Sequence, residues 1–150
     1  MIDRAKIAMS YFEKGFNCAQ SVLVAFSDLT GLDEQTALNI SGGYGSGCGT
    51  GELCGAINGA IMTLGLLSPI DKAEPVKSKR YTMGLAKELQ NRFAARFDAV
   101  RCRDLLAKTA GYAPDESTPS AMRLGLTKHC EIMVATAVDI VEEILAEQGK

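Results

Sequence analysis

Apolar residues recur along the chain at three- and four-residue intervals, and no stretch alternates β-branched and polar positions long enough to build a strand. The pattern predicts an all-α chain. A first helix runs from about Asp3 to Lys14 and stops at Gly15; a second follows the cap Asn17 and runs through Phe26 to Gly31, a glycine placed to end it. These two predict a hairpin. Asp33 caps a short third helix through Ile40. The loop Ser41 to Gly51 then carries Gly42, Gly43, Gly45, Gly47, Gly49 and Gly51, and a fourth helix spans about Glu52 to Leu67. Its Gly55, Ala56, Gly59 and Ala60 make a small-residue face that lets another helix backbone come close.

Ser68-Pro69 ends that helix, and Pro75 is placed as the first residue of a fifth running to about Phe97. Tyr81, Leu85, Leu89 and Phe93 fall four apart on it, a stripe that predicts core. Asp98 to Arg101 turns into a sixth helix from Cys102 to Ala110, closed by Gly111. Pro114 to Ser120 is the most linker-like stretch, too short to separate domains, and a last helix runs from about Lys128 to Gln148 with Thr127 as its cap. The expected fold is a single-domain helical bundle over residues 1–150, with six or seven helices and one glycine-rich loop.

Composition narrows what such a bundle does. The chain has 150 residues, 16 Lys and Arg against 18 Asp and Glu, and a formal net charge of -2. That balance supplies no electrostatic footprint for nucleic acid. The longest apolar stretch, Gly55 to Leu67, is broken by Asn58 and Thr63 and falls well short of the roughly 20 residues that cross a bilayer. No long apolar run follows the charged start Met1 to Lys6, which predicts no signal peptide and a cytoplasmic, thiol-reducing setting.

A single histidine, His129, excludes sites that need several imidazoles and leaves a hydrolase triad little to build on. Unusual chemistry therefore falls to the five cysteines, Cys18, Cys48, Cys54, Cys102 and Cys130. An odd number in a reducing setting argues against a disulfide framework, and the absence of C-x-x-C removes thioredoxin-type motifs and paired zinc knuckles. Four of them, Cys18, Cys54, Cys102 and Cys130, lie in or beside the first turn of an expected helix. There the unpaired N–H groups and the helix dipole favour thiolate. Each also falls on the apolar face of its helix, so four sulfurs could meet at one end of a bundle. Singly, each also reads as a small buried hydrophobe.

The glycine loop fits neither G-x-G-x-x-G nor a P-loop. It reads either as backbone N–H donors able to approach sulfur or an anion, with Gly47, Gly49, Gly51 and Gly55 as the candidates, or as a mobile lid. Cys48 within it is an accessory thiol or incidental. Neighbours on a helix point about 100° apart, which disfavours a catalytic pair of His129 with Cys130, and His129 is expected at the surface. The basic run Lys72 to Arg80 reads as a solvated helix start.

Asn17-Cys18-Ala19, Glu52-Leu53-Cys54-Gly55-Ala56-Ile57-Asn58-Gly59, Cys102-Arg103-Asp104-Leu105-Leu106 and the late Cys130 together resemble the C_GCAxxG_C_C family of redox-active proteins. The resemblance covers about Gly15 to Cys130 and makes Cys18, Cys54, Cys102 and Cys130 the signature cysteines, with Cys48 extra. The module is also similar to part of the split-Soret cytochromes, haem proteins associated with an iron–sulfur centre. This chain has no C-x-x-C-H, so the haem does not transfer, whereas the iron–sulfur suggestion does.

The resulting expectation is an oxidoreductase or electron carrier working through the four helix-start cysteines. In one mechanism they ligate an iron–sulfur cluster, favoured because four inward thiols exceed what one disulfide cycle needs. In the other they cycle between dithiol and disulfide, with Cys54 as the accessible, low-pKa nucleophile. A redox partner protein is expected, with a homodimer left open. The alternative is a structural helical interaction module whose cysteines are inert or bind zinc.

Overall fold

The computed structural model describes residues 1–108 and 110–150. Among them are nine α-helices and no strand, so the chain is all-α. Residue 109 fell inside the expected sixth helix and lies outside the described residues.

Helix α1 (Arg4–Glu13) starts at Asp3, whose carboxylate accepts from the Lys6 N–H at 3.1 Å. Helix α2 (Cys18–Ala25) starts at Asn17 in a full capping box: Asn17 Oδ1 accepts from the Gln20 N–H, and Gln20 Oε1 accepts from the Asn17 N–H. The expected continuation to Gly31 is interrupted at Phe26, whose φ of -103° and ψ of 15° separate α2 from α3 (Ser27–Thr30). Gly31 then ends α3 in the left-handed region. Asp33 caps α4 (Glu34–Ser41) as expected.

Helix α5 (Gly55–Leu66) starts later than the hydrophobic pattern suggested. Residues 52–54 are taken up instead by an antiparallel bridge between Leu53 and Arg101, which costs the helix its first turn. Helix α6 (Pro75–Phe97) begins at the predicted proline. Its stripe is core only at the C-terminal end. Leu89 and Phe93 are buried, whereas Tyr81 is 55% exposed because the first half of the helix projects beyond the bundle. Helix α7 (Cys102–Leu106) stops short of Ala110, and the linker-like stretch turns into α8 (Pro119–Arg123), which the pattern did not reveal.

Helix α9 (His129–Glu147) is the central element, buried from Ile132 to Val141 and again at Ile144 and Leu145. It packs against α1, α2, α5, α6 and α8. Its N-cap is Lys128, with no side-chain cap, so Thr127 does not hold the role expected of it. The small-residue face of α5 meets α2: a Cβ on Gly59 would lie 2.5 Å from the Ala19 carbonyl oxygen, so only glycine permits this approach. Among the described residues no helix is long and apolar enough to cross a membrane.

Candidate functional site

Cys18 and Cys102 are the first residues of α2 and α7, Cys130 is the second residue of α9, and Cys54 is the N-cap of α5. All four line one cavity of about 60 Å³. The sequence put each cysteine at a helix start but left open whether they meet. Two local contacts bring them together. The Cys54 N–H donates to the Val100 carbonyl at 2.8 Å and the Cys102 N–H to the Glu52 carbonyl at 2.6 Å, which fixes the starts of α5 and α7 side by side. At Gly55 a Cβ would lie 3.1 Å from the Tyr44 carbonyl oxygen and 3.2 Å from the Cys18 Cβ, so glycine lets the start of α5 close on the start of α2.

The four thiols are not equivalent. Cys54 is only 5% exposed, and burial pushes its pKa up to about 12. The N–H groups of Ala56 and Ile57 lie near enough to its sulfur to favour the thiolate, without completing a cap hydrogen bond, and do not offset the burial. Cys18 is raised, first by the neighbouring Cys130 sulfur, which favours keeping the Cys18 proton, and then by burial. Burial raises Cys102 as well, helped by charge on Cys130. Cys130 alone moves the other way, to about 7, because the neighbouring Cys18 thiol favours its charged form and His129 lies near, against the opposing effect of burial. The accessible, low-pKa sulfur is therefore not Cys54, as the glycine loop suggested, but Cys130. The helix start does not set the pKa at three of the four sites: desolvation outweighs it at Cys54 and Cys102, and the neighbouring Cys130 sulfur followed by desolvation does so at Cys18.

The glycine loop does less at the cavity than expected. Of Gly47, Gly49, Gly51 and Gly55, only Gly55 lines it, joined by Ser46. The Gly47 carbonyl accepts from the Glu52 N–H at 3.1 Å and the Thr50 hydroxyl at 3.1 Å. Gly51 presents its carbonyl to Arg103 Nε at 3.3 Å, and Gly49 is exposed at a φ of 73°. These are turn and bracing roles. Cys48 is exposed, outside the cavity lining, with Asn58 Nδ2 3.9 Å from its sulfur.

His129, expected at the surface, is half-buried and lines the cysteine cavity. Its Nε2 lies 2.9 Å from the Lys108 carbonyl oxygen, so Nε2 carries the proton and donates, and its ring stands edge-on to Tyr112. Helical neighbours do diverge, yet here the helix start itself opens onto the cavity, so residues 129 and 130 both reach it. Met133, one turn further along α9, also lines the cavity, a role that nothing in its apolar helical position signals.

A family model described as "Putative redox-active protein (C_GCAxxG_C_C)" matches residues 16–144. The chain belongs to this family. The C_GCAxxG_C_C match runs from just before α2 to near the end of α9 and so takes in every helix that carries a cavity cysteine. Its central block reads Cys54-Gly55-Ala56-Ile57-Asn58-Gly59 in this chain, with cysteine and glycine in the opposite order to the letters of the family name. Both glycines of the block have packing roles described above: Gly55 admits Cys18, and Gly59 admits the α2 backbone. No curated protein and no solved structure matches the chain significantly.

Proposed function

We propose that the chain is a thiol–disulfide redox protein whose exchanging couple is Cys18 and Cys130. The observation that carries this reading is that Cys18 and Cys130 share the wall of one cavity, close enough for each to be the first influence on the other's acidity. A thiolate attacks a disulfide best when its pKa lies near ambient pH, and Cys130 is the cavity sulfur that meets this condition. Cys130 attacks a partner disulfide and forms a mixed disulfide, releasing one partner thiol. Cys18 then attacks the Cys130 sulfur, giving up its proton and releasing the second thiol. The partner disulfide is reduced to two thiols and the protein is left with a Cys18–Cys130 bond.

The test is to oxidise the reduced protein with a disulfide and map the product by peptide mass spectrometry. A Cys18–Cys130 linkage that Cys130→Ser abolishes and Cys54→Ser spares is expected; a different linkage, or none, overturns the reading.

A second reading is favoured by a different observation, that four cysteines share the cavity. Four thiolates are the common donor set of iron–sulfur clusters, and the four present here fit that chemistry. Such a cluster, when bound, supplies electron transfer. Cys18, Cys54, Cys102 and Cys130 would hold it, and the Ala56 and Ile57 N–H groups near Cys54 would stabilise charge on that sulfur. Among the described residues no three His, Cys, Asp or Glu side chains gather around a point that suits one ion. Iron and labile-sulfide analysis of protein purified without oxygen separates the readings. Matching iron and sulfide with a brown chromophore lost in the cysteine variants supports the cluster; colourless, metal-free protein supports the couple.

A further inference from the structure

The cysteine cavity has a neighbour. A groove of about 510 Å³ lies on the outer side of the α9 start, lined by Phe12, Glu13, Lys128, His129, Cys130 and Glu131. His129 and Cys130 line both spaces, and Cys130 is the one cysteine that does. A molecule in the outer groove therefore reaches the exchanging couple at Cys130, with Cys18 on the inner side.

The groove walls describe what fits. Phe12, at the end of α1, offers an apolar surface, and three charged side chains of both signs surround it: Lys128 on one hand, Glu13 and Glu131 on the other. Among the described residues none of these three is engaged in a salt bridge. A protein surface carrying a single charge sign would be poorly matched. A small molecule carrying carboxylate and ammonium groups around a central disulfide is well matched, and the groove is of small-ligand size.

We propose that the outer groove binds a zwitterionic low-molecular-weight disulfide of the amino-acid type and presents its S–S bond to Cys130, with Lys128 taking a carboxylate and Glu13 and Glu131 an ammonium group. This rests on the Cys18–Cys130 couple and names its substrate class. Cys130 attacks one sulfur of the bound disulfide, the S–S bond breaks, and the first amino-acid thiol leaves with a proton from solvent. Cys18 then attacks Cys130, loses its proton, and the second thiol leaves. One disulfide and two protein thiols give two small thiols and one protein disulfide.

The test mixes freshly reduced full-length protein, freed of reductant, with cystine or with uncharged hydroxyethyl disulfide, and follows protein thiol loss and small thiol release. Cystine is expected to react about tenfold faster per molecule, since two or three weak charge pairs each contribute a few-fold. In Lys128→Gln and in Glu13→Gln/Glu131→Gln the cystine-to-hydroxyethyl-disulfide rate ratio is expected to fall toward one, with far-ultraviolet circular dichroism confirming the fold. Equal rates for both disulfides in the unsubstituted protein, or a ratio indifferent to these substitutions, overturns the groove assignment while leaving the couple intact. Failure of both disulfides to form the Cys18–Cys130 bond overturns the couple and the assignment with it.

Discussion

The Cys102 N–H donates to the Glu52 carbonyl at 2.6 Å, tying the start of α7 to the segment that leads into Cys54. The side chains around this contact reinforce it. Arg103 donates to the Thr50 carbonyl at 2.8 Å, the Gly51 carbonyl at 3.3 Å and the Glu52 carboxylate at 2.8 Å, while Arg101 donates to Glu52 from the adjoining position. The glycine loop is thus held from α7, and through it the Cys54–Cys102 side of the cavity.

Arg103→Ala should release this brace. The side chain is exposed, so little change in global stability is expected. Faster amide hydrogen exchange over residues 47–52 than in the unsubstituted protein is the expected result, with α9 unaffected. Unchanged exchange there would show that the backbone contacts hold the loop alone.

Alkylation by iodoacetamide should separate the thiols by pH. The Cys130 rate should rise through a midpoint near 7 as its thiolate forms, while Cys54, at about 12, stays unreactive across neutral pH. Cys18→Ala removes the neighbour that most favours the Cys130 thiolate, so the midpoint should move up toward the ordinary 9.0. His129→Ala should move it in the same direction by less, because the histidine ranks behind Cys18 and burial among the causes. Mass-spectrometric rates per peptide give each midpoint.

Two glycine-to-alanine changes should have opposite signs. Gly59→Ala forces a methyl against the Ala19 carbonyl and 3.1 Å from the Val22 Cβ, and should destabilise by about 1–3 kcal/mol. Gly84→Ala, inside α6 with nothing within 4 Å of the added carbon, should stabilise by about 0.5–1 kcal/mol. Urea denaturation compares them directly.

Asp3 caps α1 and also accepts from Arg123 Nη1 at 2.7 Å, and that arginine holds its carboxyl below the usual 3.8. A depressed folded-state pKa stabilises above the unfolded value and is lost as pH falls through the folded one. Asp3→Ala should therefore cost about 1 kcal/mol near neutral pH, through the lost cap, and the penalty should shrink below pH 3.8. Denaturation midpoints at pH 7 and pH 3 provide the check.

Much of this architecture is legible in local signals because those signals act locally. Asn17 and Asp33 supply the hydrogen bonds their helix starts lack, Pro75 fits a first turn that needs no N–H, and Gly31 takes a left-handed φ of 70°. The chain by itself also determines which cysteines sit at helix starts, and the small face of α5 that α2 requires. Longer-range competition decided the rest. The first turn of α5 gives way to the Leu53–Arg101 bridge, and Tyr81, in phase with Leu89 and Phe93, stays outside because α6 outruns the bundle. No pattern of spacing contains the distance between Cys18 and Cys130, which belong to opposite ends of the sequence and meet only because α2 packs on α9. Thiol pKa follows the same division: the helix start is written in the sequence, but desolvation and the neighbouring sulfur are properties of the packed cavity, and they outweigh it at Cys18, Cys54 and Cys102.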